Sequence, residues 1–144
     1  IAQMCDLRLA SDDAKLGITE TKWSLLPPFG TILSKMIPLS AVLELCMTAQ
    51  PVSAQRAYDM GFLNKVVPGE QLMEEAMGMA EQIAENAPLA VQYFKELAYR
   101  SLNMSTQDIS SLTYHMYDQL LTTEDSKEGP LAFAEKRKPN WKAR

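Results

Sequence analysis

Residues 48–67, T-A-Q-P-V-S-A-Q-R-A-Y-D-M-G-F-L-N-K-V-V, constrain the fold more tightly than any other stretch of the chain. Ser53 stands where a hydroxyl can accept a bond from the free amides that open a helix. Gly61 follows about two turns later, where a left-handed residue closes one. Residues 63–67 are then apolar enough for a short buried strand, cut off by Pro68-Gly69. The spacing predicts a helix over 54–60, a glycine stop and a strand, in that order.

Upstream, residues 6–10 alternate polar and apolar and read as a half-buried strand. The turn cluster Ser11-Asp12-Asp13-Ala14 separates them from a second short extended piece over 15–19. Residues 20–26 fit no single pattern. Pro27-Pro28-Phe29-Gly30 is a loop, because two prolines remove donors and restrict the residues before them. Thr31 is positioned to cap a helix that Pro38 ends, and Ser40 to cap another running to about residue 47.

Downstream the pattern is almost wholly helical. Residues 70–86 place Leu72, Met73, Ala76, Met79, Ala80 and Ile83 close to helical spacing. Pro88 opens a helix to about residue 102. Thr106 begins another to about residue 121, with Asp108 favourable in its first turn. Ser126 begins the last, with Glu128 early and Lys136 and Arg137 late. No internal repeat or low-complexity segment interrupts the chain.

The bulk properties narrow the class. The chain has 144 residues, enough for a core of its own, and a formal charge of −4, which argues against nucleic acid as the main partner. No apolar run reaches the ~20 residues of a membrane span. Cys5 and Cys46 read as small buried thiols of a reducing, cytoplasmic setting. Ile1 opens directly into the apolar run I-A-Q-M-C, as though within an element, so a fragment of a longer protein is expected.

Few residues carry chemistry. Glu20 follows a predicted strand among Ile18, Trp23 and Leu25, where a carboxyl held against apolar groups can exchange protons near neutrality. The alternative is a solvated Glu paired with Lys22 or Lys15. His115 is the sole histidine and has no acid or cysteine at ligand spacing, so no metal site is expected. The nine methionines read as packing on helix faces. Neither G-x-G-x-x-G nor a Walker loop is present, which leaves dinucleotide binding and nucleotide hydrolysis without support.

The order Cys5-Asp6-Leu7-Arg8-Leu9-Ala10-Ser11, then Leu16-Gly17-Ile18-Thr19-Glu20, then Pro27, resembles the enoyl-CoA hydratase/isomerase (crotonase) family. The 48–67 stretch and the tail A-F-A-E-K-R-K-P-N-W-K resemble it as well. The resemblance covers nearly the whole chain but only the latter half of a family member. It implies an α/β fold: a partial crotonase-like superhelical core with few short strands over 1–86, followed by a helical oligomerisation region over 87–144. It also implies an acyl-CoA substrate, trimers or hexamers, and no cofactor beyond the coenzyme A of the substrate.

By the same resemblance Glu20 matches the second of two catalytic carboxylates, the group that moves the proton in water addition or removal. Double-bond isomerisation, or a catalytically silent oligomerising piece, are the alternatives. Phe29 and Gly30 fall in the loop beside the acyl group, where Pro28-Phe29-Gly30-Thr31 replaces the family's Gly-rich run, Phe29 narrowing the space and Pro28 stiffening it. Thr19 replaces a proline common before the Glu. Phe133 and Lys136 match positions at the adenine end of CoA, although Phe133 is equally readable as core beside Leu131 and Trp141. The first catalytic Glu and the amides that hold the thioester oxygen are expected upstream of Ile1.

Overall fold

The structure, a computed structural model, describes residues 2–28 and 30–144. It divides into two compact units, Ile1–Gly78 and Met79–Arg144.

In the first unit, β1 (Leu9–Ser11) runs parallel to β4 (Lys65–Val67), with Leu9 opposite Lys65 and Ser11 opposite Val67. β2 (Lys15–Leu16) pairs antiparallel with β3 (Val52–Ser53). A parallel pair needs a long crossover. Here it contains short 3-10 helices at Glu20–Trp23 and Gly30–Lys35, then α1 (Leu39–Thr48) and α2 (Ala54–Asp59). Leu33, Ile37, Val42, Leu45, Ala57 and Phe62 form the centre of the core.

The central motif folds as its residues dictate. Ser53 Oγ accepts from the Arg56 amide at 3.1 Å, and Gly61 takes φ 81° to close α2. Arg8 fixes the following segment: its Nε donates to the Phe62 carbonyl at 2.6 Å while its guanidinium lies 4.6 Å from the Phe62 ring centre. The Arg8 amide bonds Asn64 Oδ1 and the Asn64 amide bonds the Arg8 carbonyl, which sets the register of β1 on β4.

The division falls within α3 (Leu72–Ala84). The second unit continues with α4 (Pro88–Ser101), α5 (Thr106–Leu121) and α6 (Asp125–Glu135). Ser105, one residue before the expected start, caps α5 by accepting from the Asp108 amide at 3.1 Å. After α6 the chain folds back. Buried Asp125 accepts from the Lys142 and Ala143 amides at 2.7 and 2.9 Å. Trp141 Nε1 donates to the Glu85 carbonyl at 2.8 Å.

Several local expectations change. Thr31 does not cap: it lies inside the Gly30–Lys35 turn, and its carbonyl accepts from Ser34 Oγ. Pro38 follows the end of the Gly30–Lys35 3-10 helix and is also the N-cap of α1, which puts Ser40 inside that helix. Pro38 has no amide to satisfy there, so it suits a helix entrance as well as an exit. The first strand spans Leu9–Ser11 rather than 6–10. Helix α6 begins at Asp125, one residue before Ser126, and ends at Glu135, so Lys136 and Arg137 lie beyond it.

Burial also departs from expectation. Cys5 is exposed and Cys46 half-buried, so apolar neighbours in sequence did not imply an enclosed site for Cys5. No residue of α3 is buried, and Met73 is 70% exposed. The methionines of α3 therefore form a helical stripe without filling a core.

Candidate active site

Glu20 opens the Glu20–Trp23 turn. Ser24 closes it in the left-handed region at φ 58°, donating its amide to the Glu20 and Thr21 carbonyls, and the Leu25 amide also reaches the Glu20 carbonyl. Thr19 precedes the turn without a side-chain cap. The turn is joined to α1 by Thr21 Oγ1, which donates to the Cys46 carbonyl at 2.7 Å.

The Glu20 side chain is half-buried, and among the described residues it pairs with neither Lys15 nor Lys22. The expected apolar surround is only partly present. Ile18 is buried, whereas Trp23 is 75% exposed and Leu25 is exposed too. Burial first, and the Glu20 charge second, hold the Cys46 thiol above its ordinary pKa. Glu20 is thus close enough to Cys46 for its charge to act there.

Gly30 belongs to the same neighbourhood. It is buried, and its amide donates to the Pro27 carbonyl at 2.9 Å. A Cβ at this position would lie 2.8 Å from Pro27 Cγ and 3.5 Å from Cys46 Sγ. The close approach, rather than a left-handed φ, is what requires glycine here. Cys46 therefore links Glu20 and Gly30. Phe29 lies outside the described residues.

A half-open apolar cavity of about 500 Å³ is lined by Leu16, Ile18, Leu33, Leu45, Met60 and Phe62, among others. Neither Glu20 nor Gly30 is in its wall. It is a hollow over the core of the first unit, lined by neither of those two residues.

Phe133 and Lys136 belong to the second unit. Phe133 is 87% exposed on α6, which removes the packing alternative within this chain. Lys136 adopts φ 54° as the left-handed end of α6, and its amide donates to the Phe133 carbonyl at 3.2 Å. An exposed aromatic face three residues before an exposed ammonium suits a purine and a phosphate.

Sequence reasoning missed Thr21 and Cys46 as neighbours of Glu20. A hydroxyl bonded to a backbone carbonyl 25 positions away leaves no local pattern. It also missed the Glu128–Arg137 clamp, because Arg137 lies beyond α6 rather than in its last turn. Among the described residues no group of three or more His, Cys, Asp or Glu stands where it could hold a metal ion.

The few short strands of the first unit and the helices that follow are those of a partial crotonase fold. The enoyl-CoA hydratase/isomerase family profile matches residues 1–144, and the chain belongs to that family. It is 37% identical over 150 residues to carnitinyl-CoA dehydratase of Proteus mirabilis (strain HI4320), covering 100% of this chain and 58% of that protein. To enoyl-CoA hydratase EchA19 of Mycobacterium tuberculosis it is 36% identical over 146 residues, covering 100% of this chain and 55% of that one. The crystal structure of enoyl-CoA hydratase from Bacillus anthracis superposes with a TM-score of 0.95 at 34% identity, covering 99% of this chain and 56% of that one. The chain thus spans a little over half the length of these relatives.

Proposed function

We propose that the protein carrying this chain adds water to, or removes it from, an α,β-unsaturated acyl-CoA, with Glu20 as the general acid and base. The observation that carries this reading is the placement of Glu20. It is a half-buried carboxylate paired with neither Lys15 nor Lys22 among the described residues, in a turn fixed to α1 and sharing Cys46 as a neighbour with the close-packed Gly30. The names of the two relatives, a dehydratase and a hydratase, support the same reaction class.

In hydration the hydroxyl of water bonds to the β carbon while the carboxylic acid form of Glu20 gives its proton to the α carbon. The proton lost by the attacking water restores the acid. Dehydration is the reverse. Each direction needs one positioned group whose proton can leave and return, and such a group contributes roughly 10²–10⁴ in rate. Coenzyme A enters only as part of the substrate. Gly30 lets the backbone approach the acyl group. Phe133 and Lys136 meet the adenine and a phosphate of CoA. The exposed apolar side chains of α4 and α5, Phe94, Tyr114 and Tyr117 among them, suit self-association into trimers or hexamers.

Dehydratase kinship favours a polar acyl group over a plain hydrocarbon chain. The test is hydration of crotonyl-CoA and of a polar-substituted enoyl-CoA by the complete protein, followed as loss of the conjugated thioester absorbance. Turnover with preference for the polar substrate is expected. Migration of the double bond without water addition would overturn the hydratase reading.

A further inference from the structure

Helix α1 ends abruptly. Ala49 turns left-handed at φ 50°, so the chain leaves the helical path before the Gln50 amide can reach back to the Cys46 carbonyl. That amide instead donates to Thr48 Oγ1 at 3.3 Å. The Cys46 carbonyl is one of the orphan acceptors every helix leaves at its C-terminus. Thr21 Oγ1 fills it at 2.7 Å.

The turn that carries Glu20 is only four residues long and is preceded by Thr19 with no side-chain cap. A single 3-10 turn forms too few internal bonds to hold itself rigid. The Thr21 hydroxyl supplies an anchor from outside, one residue away from the carboxylate. The anchoring group, the Cys46 carbonyl, belongs to the residue whose thiol responds to the Glu20 charge.

We propose that Thr21 is a positioning residue for Glu20, its hydroxyl tying the Glu20 turn to the open end of α1 so that the carboxylate stays beside Cys46. The proposal rests on the reading of Glu20 as the acid/base group. Without the hydroxyl the turn loses its link to α1, and Glu20 samples positions farther from Cys46 and from the Gly30 loop. Catalytic geometry tolerates such drift poorly, because displacement of a reacting group by about 1 Å costs on the order of 10²-fold in rate.

The Cys46 thiol is a built-in reporter, and its use requires no turnover. In a Cys5→Ser background, alkylation of Cys46 is measured against pH for the parent, Thr21→Val, Thr21→Ser, Glu20→Gln and the Thr21→Val/Glu20→Gln double variant. Removing the nearby negative charge lowers the thiol's midpoint, so Glu20→Gln shifts the profile to lower pH. Thr21→Val is expected to shift it in the same direction, Thr21→Ser to keep the parent profile, and Thr21→Val to add nothing once Glu20 is Gln. A Thr21→Val profile equal to the parent's, or an equal shift with Gln at position 20, overturns the proposal, the latter by showing altered burial instead. An unshifted Glu20→Gln profile overturns it as well. The hydratase reading fails separately, by turnover that survives Glu20→Gln.

Discussion

Glu128, in the first turn of α6, and Arg137, just beyond its end, form a two-point clamp, with Nη1 on Oε1 at 2.6 Å and Nη2 on Oε2 at 3.0 Å. Glu128 Oε1 also accepts from the Asn140 amide at 2.7 Å. The pair fastens the returning tail of the second unit to α6. A bidentate guanidinium–carboxylate contact fixes direction as well as distance.

The clamp makes that unit sensitive to acid. The Arg137 hydrogen bonds, followed by the Asn140 amide, lower the Glu128 carboxyl from 4.5 to about 2. A carboxyl depressed in the folded state contributes stability that is present above its unfolded value and lost as pH falls through the folded one. The contribution therefore declines between pH 4.5 and about 2. Thermal melts across that range should show Glu128→Gln with a shallower acid limb than the parent and lower stability at neutral pH. Parallel curves would show that the clamp does not couple to folding.

Gly30→Ala should destabilise the first unit, because the new methyl meets Pro27 Cγ at 2.8 Å and the ring is held by its own loop. Overpacking of this kind costs about 1–3 kcal/mol. Urea unfolding measures it, and an unchanged midpoint would show that the loop can shift.

Ser53→Ala removes the cap that accepts from the Arg56 amide and should cost ~0.5–2 kcal/mol, whereas Ser53→Asp should retain most of the stability. Equal losses in both variants would mean that the hydroxyl matters for something other than capping. Denaturant midpoints separate the two outcomes.

The features that could be read from sequence were those decided within a few residues. Ser53, Gly61 and Pro88 each fix a helix end through their own backbone chemistry, and the structure places those ends where the residues imply. Pro38 also opens α1 because proline is compatible with both ends of a helix, and Thr31 does not cap because a threonine caps only if its backbone is extended. Burial of Cys5 and Met73 could not be inferred from apolar neighbours, since it depends on which distant segment covers them. Family order singles out Glu20 as a candidate, but it gives no sign of the bond from Thr21 to the Cys46 carbonyl. That bond joins a hydroxyl to a main-chain carbonyl, and any residue type can supply the carbonyl.

Phe133→Ala should leave folding of this chain nearly unchanged, within ~0.5 kcal/mol, because the ring is 87% exposed. In the complete enzyme it should raise KM for acyl-CoA more than it lowers kcat, the mark of a contact to the invariant part of the substrate. A large loss of stability with unchanged KM would assign Phe133 to assembly.

The most direct measurement concerns the proton itself. The complete protein is turned over with an enoyl-CoA in deuterated water, and label at the carbon beside the thioester carbonyl is followed by mass spectrometry for the parent and for Glu20→Gln. The parent is expected to incorporate deuterium there with each turnover, and Glu20→Gln to lose incorporation and hydration together by roughly 10²–10⁴-fold. Incorporation at the parent's rate in Glu20→Gln would contradict Glu20 as the group that moves the proton.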